Sequence, residues 1–105
     1  MDDFKVIYKI LKFFKAAMDV DEPDFNEISS ESLGISEKRW HQLIFMLVDN
    51  GYLSGVMRGR AISMPDKAHL TEYSQITLQG LEYLSENSMM QKAYRAAKGI
   101  VDLIP

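Results

Sequence analysis

Residues 28–50 constrain this chain more than any other stretch. Gly34 sits between two helical segments, and Ser36 follows two residues later. Glycine takes the left-handed conformation that closes a helix, and a serine hydroxyl caps the start of the next one. Glu37 suits the positive first turn of that second helix. Trp40, Leu43, Ile44, Leu47 and Val48 recur at helical spacing, and Asn50-Gly51 ends the run. With a short helix over about 25–33, the segment reads as helix, glycine turn, longer helix.

Upstream, 3–18 has the helical period. Phe4, Ile7, Tyr8, Leu11, Phe14 and Met18 share one face, and Val6, Ile10 and Phe13 widen it. Residues 19–27 are acidic and broken by Pro23, which biases its predecessor away from helix. Downstream, 52–64 and 68–76 have strand character, and Pro65-Asp66 is the expected turn between them. Gly55 and Gly59 weaken the first strand. Thr77 is placed to N-cap a helix with Leu78, Leu81 and Leu84 inward, ending near Asn87. Gly80 inside it costs up to ~1 kcal/mol against alanine, which close backbone packing on a strand would explain. Ser88 and Gln91 form an S-x-x-Q capping box for a last helix.

The expected fold is therefore α+β and mostly helical: a winged helix-turn-helix with a β-hairpin wing and an additional C-terminal helix. At 105 residues it is one domain, with 1–87 as the winged-helix core and 88–105 as a helix packed on the first helix. Ala93, Ala96, Ala97 and Gly99 also suit close approach of a second copy, so a homodimer through that helix is the alternative.

Chemistry finds little support. The absence of cysteine excludes disulfides, thiolate zinc sites and cysteine nucleophiles, and fits a reducing cytoplasm. No phosphate-binding glycine loop or nucleophile elbow occurs. Asp19, Asp21, Asp24 and Glu27 begin like a calcium loop, but Pro23 and Asp24 fall at its fifth and sixth positions, where glycine is needed at the sixth. The longest apolar run, 43–48, is far short of the about 20 residues that span a membrane. The expectation is a cytoplasmic protein that is not an enzyme, needs no cofactor or metal, and acts by binding.

Charge points to a surface for that binding. The chain carries a net charge of −3, which argues against non-specific coating of nucleic acid. The acid is concentrated, however: residues 1–35 hold eight acidic and four basic side chains. Across 38–60 four basic residues face one acidic residue, Asp49. The candidate contacts to double-stranded DNA are Lys38, Arg39, His41 and Gln42 on the longer helix, with Arg58 and Arg60 on the wing. Phe45 and Met46 lie further along that helix on an outward or oblique line and suit a protein contact. The alternative function is thus a protein-interaction adaptor that does not bind DNA.

Three segments also carry a family resemblance. They are DFKVIYKILK at 3–12, MLVDNGYLSGV at 46–56 and ITLQGLEYLSENSMMQKAYRAAKGIVDLIP at 76–105, the last with Thr77, Gly80, Tyr83, Leu84, Glu86, Asn87 and Ser88 in order. The chain resembles the YjcQ-like family, small winged-helix proteins of Firmicutes and their phages. That resemblance implies a winged-helix, cytoplasmic protein, often of prophage origin. It implies no activity, and no catalytic or binding residue transfers with it.

Overall fold

The computed structural model describes residues 2–61 and 64–97, with side chains for 2–59 and 66–87. The fold is α+β: four α-helices, a 3₁₀ turn and two short antiparallel ribbons among the described residues.

Helix α1 (Asp3–Ala17) starts where the Asp2 carboxylate accepts from the Phe4 N–H. Its buried residues are Val6, Ile10, Leu11 and Phe14. The stripe is therefore rotated from the expected one: Phe4 is 70% exposed and Met18 62% exposed. The α1 pattern is apolar over more than half its circumference, so spacing alone left the centre of the buried face open.

A 3₁₀ turn (Phe25–Ile28) and helix α2 (Ser30–Leu33) follow the acidic loop, and Gly34 closes α2 at φ 71°. Helix α3 (Glu37–Asp49) begins at Ser36, whose hydroxyl accepts from the Arg39 N–H at 3.1 Å. Leu43, Ile44 and Leu47 are buried, with Trp40 and Val48 packed at the core's edge. The Trp40 indole N–H donates to the Ile28 carbonyl at 2.7 Å and ties α3 to the 3₁₀ turn.

The β region departs from a simple pair of long strands. Strand β1 (Leu53–Ser54) pairs with β4 (Gln75–Ile76), and β2 (Met57–Ala61) pairs with β3 (Met64–His69). Gly55, at φ 76°, breaks the first strand, and its Cα faces the Tyr73 carbonyl where no side chain fits. Pro65-Asp66 is not the turn. Gly59 pairs with Lys67 and Ala61 with Met64, so Pro65 and Asp66 together oppose Arg60 as a bulge. A proline is tolerated there because a bulge leaves a position outside the hydrogen-bond ladder.

Helix α4 (Leu78–Ala97) is continuous. The expected break near Asn87 does not occur; the Asn87 side chain instead donates to the Tyr83 carbonyl one turn back. Nothing between 85 and 91 is glycine or proline, so the S-x-x-Q motif sits inside a helix. Thr77 caps α4 by accepting from the Gly80 N–H at 3.1 Å and donates to the Gly51 carbonyl. Leu84 is buried and Leu81 packs on the core, but Leu78 is 71% exposed, contrary to the expected inward line. A side chain at Gly80 would meet the Tyr52 carbonyl at 2.5 Å and Ile76 at 2.6 Å, so glycine here permits α4 to press on the β1–β4 ribbon. Helix α4 also packs on α1. The contacts expected of 88–105, including the dimer face, fall outside the described side chains. Among the described residues no helix is long and apolar enough to cross a membrane.

Candidate nucleic-acid interface

Helix α3 and the β2–β3 hairpin form one unit. The burial of Leu43, Ile44 and Leu47 turns Lys38, Arg39, Gln42, Met46 and Asp49 outward. His41 and Phe45 lie between these two faces, half-buried, one turn apart. The hairpin lies along that intermediate line.

Three contacts hold it there. The Arg58 guanidinium stands 4.1 Å from the centroid of the Phe45 ring, and its Nη2 donates to Asp49 at 3.2 Å. Across the ladder, Ala68 is the register partner of Arg58. The Ala68 N–H points away from β2 and donates to His41 Nδ1 at 2.9 Å. One rung of the hairpin is thereby tied to His41, Phe45 and Asp49, successive turns of α3.

The His41 bond requires a neutral imidazole, because only unprotonated Nδ1 accepts. Burial lowers the His41 pKa from its ordinary 6.5; Glu37 opposes the shift, and Lys67 and His69 add to it. The ring also meets Trp40 edge-on at 5.0 Å.

The candidate DNA contacts differ in their surroundings. Lys38 and Gln42 are exposed on the N-terminal half of α3. Arg39 is exposed but reaches Asp3 at the start of α1, at 2.8 Å. Arg58 is held by Asp49 and Phe45. The backbone of Arg60 lies in β2 opposite the bulge; its side chain is outside the described residues. Of the proposed protein contacts, Met46 is 53% exposed, while Phe45 is half-covered by Arg58.

Sequence reasoning missed the partners Asp3 and Ala68. Arg39 and Asp3 are 36 positions apart and His41 and Ala68 are 27 apart, so no local spacing signals either pair. Among the described residues, no three histidines or carboxylates converge in a way that could hold a metal ion.

Comparison with known proteins adds a family. A family model described as YjcQ protein matches residues 8–103. A Bacillus subtilis (strain 168) protein, described as uncharacterized protein YjcQ, is 31% identical over 78 residues, covering 73% of this chain and 78% of that protein. No solved structure matches the chain.

Proposed function

The chain belongs to the YjcQ family, and we propose that it is a DNA-binding regulatory module of winged-helix type, acting by binding and not by chemistry. The observation that carries this reading is the docking of the hairpin on α3 through the Arg58–Ala68 rung. It sets a basic strand beside a helix whose N-terminal half exposes Lys38, Arg39 and Gln42. Helix-turn-helix proteins present that half of the second helix to base edges, and the adjoining strands meet the phosphate backbone.

The two ion pairs on this surface do not oppose DNA. Arg39–Asp3 and Arg58–Asp49 are both solvent-exposed, and such pairs contribute about 0–1 kcal/mol. A phosphate can replace the carboxylate at small cost. The functional assignments are Lys38 and Arg39 to phosphate, Gln42 to a base edge, and Arg58 and Arg60 to phosphate or the minor groove. Retention of pooled genomic fragments by the protein at about 50 mM salt tests the reading, since phosphate contacts are strongest there. A complete failure to retain DNA contradicts it.

A second reading has its own observation. Met46 stays exposed beside Phe45, and the Asp49–Arg58 pair leaves this end of α3 without the excess positive charge a phosphate surface needs. An adaptor using that patch would lose its protein partner on Phe45→Ala and Met46→Ala while remaining indifferent to DNA.

A further inference from the structure

A groove of about 610 Å³ runs between the C-terminal half of α1 and the 3₁₀–α2 segment. It shares no residue with α3 or the hairpin. Phe13, Ala17, Ile28 and Leu33 form its apolar floor, and Val20, 51% exposed, carries that floor to the edge. The groove stays open because α1 places Ala16 and Ala17 here, where larger side chains would fill the space. Its volume lies in the range of sites that take several side chains of a ligand.

The rim decides what fits. Glu22, Asp24 and Glu27 form one wall. They belong to a stretch, 16–37, with seven carboxylates and no lysine or arginine. Glu22 and Glu27 have no ion-pair partner among the described residues, and Asp24 accepts only the Asn26 N–H. Lys9 and Lys12 stand on the α1 wall, and the Lys12 ammonium lies 5.8 Å from the Tyr8 ring centroid, along its own helix. Neither wall has an ion-pair partner among the described residues, and the carboxylate wall carries the larger charge, three groups against two.

We propose that this groove docks a segment of a partner protein that is apolar on one side and basic along one edge. Its large apolar side chains enter the space above Ala16 and Ala17, and its lysines or arginines face Glu22, Asp24 and Glu27. A polar rim around an apolar centre is the usual anatomy of such an interface. The charge on the rim sets specificity and on-rate, and the floor supplies the anchoring area.

The test is selection of a random peptide library displayed on phage against the full immobilised chain. A synthetic copy of the leading peptide is then titrated into labelled protein. The expected peptides combine lysine or arginine with large apolar residues and shift the amides of Phe13, Ala17 and Val20. Ala16→Trp, which fills the groove, and the double change Glu22→Lys with Glu27→Lys each weaken binding about tenfold or more, the scale of losing a buried anchor or its charge partners. The charge reversal lies wholly on the exposed loop and 3₁₀ turn, so it remains decisive if the tryptophan variant does not fold. Four results overturn the proposal: no enriched peptide, enriched peptides without basic residues, binding that ignores both variants, or occupation of the groove by a second copy of the chain in sedimentation.

Discussion

The backbone N–H of Ala68 donates to His41 Nδ1, so the hairpin is fastened to α3 by a neutral imidazole. A donor that would otherwise sit unpaired on the strand's outer edge is satisfied, and the same bond fixes where the hairpin lies.

That bond makes hairpin docking sensitive to acid. The folded pKa of His41 lies below 6.5, its ordinary value, chiefly through burial. The unfolded chain therefore binds more protons than the folded chain just below 6.5. The stability contributed by neutral His41 is complete above that value and is lost as pH falls through the folded pKa. Replacing His41 with alanine removes the acceptor, at about 1 kcal/mol, and removes this part of the acid dependence. Urea unfolding of both proteins from about pH 7.5 to about pH 5 checks it, because the window brackets the histidine titration. Equal acid slopes in wild type and His41→Ala would contradict the assignment.

Helix α1 offers a contrast between two large residues. Ile10 is fully buried and Phe4 is 70% exposed. Ile10→Ala is expected to cost about 2–4 kcal/mol, through lost transfer energy and the cavity left behind. Phe4→Ala should fall within about 0.5 kcal/mol of wild type. Denaturant midpoints of the two variants separate the observed buried face from the one centred on Phe4.

Gly80 gives a prediction of opposite sign to helix propensity. Alanine is favoured in a helix by about 1 kcal/mol over glycine. Here the added methyl meets the Tyr52 carbonyl and Ile76, and α4 must move off the β1–β4 ribbon. Gly80→Ala is expected to destabilise by about 1–3 kcal/mol, as overpacking does. A raised unfolding midpoint would show that the ribbon yields without loss.

Much of the helical framework was legible because its signals are local. Gly34, Ser36 and Thr77 each act within one turn of their own position, and each caps the helix end expected of it. The tight approach at Gly80 was legible too, since a glycine inside a helix needs a packing reason. The β region was not. Proline and aspartate in sequence read as a turn, but a bulge accommodates them equally, and only the pairing of Gly59 with Lys67 and Ala61 with Met64 distinguishes the two. The continuity of α4 was hidden for a similar reason: serine followed by glutamine three residues later is compatible with a helix start and with a helix interior. At the candidate interface, the exposure of Lys38, Arg39 and Gln42 followed from the period of α3, but His41, expected on the same outward side, is half-buried under the hairpin and accepts from Ala68. The partners of Arg39 and His41 did not follow from it, because Asp3 and Ala68 come from elements distant in the chain.

The central claim is that α3 and the hairpin present one DNA-reading surface, and salt dependence tests it most directly. Fluorescence anisotropy would follow a retained DNA fragment from about 50 to about 200 mM salt, where each phosphate contact contributes close to one unit of slope. The wild-type slope should fall by about two units in Lys38→Ala with Arg39→Ala, and by about two in Arg58→Ala with Arg60→Ala. Circular dichroism of each variant confirms that it is folded. Slopes and affinities unchanged in both folded variants would contradict the account.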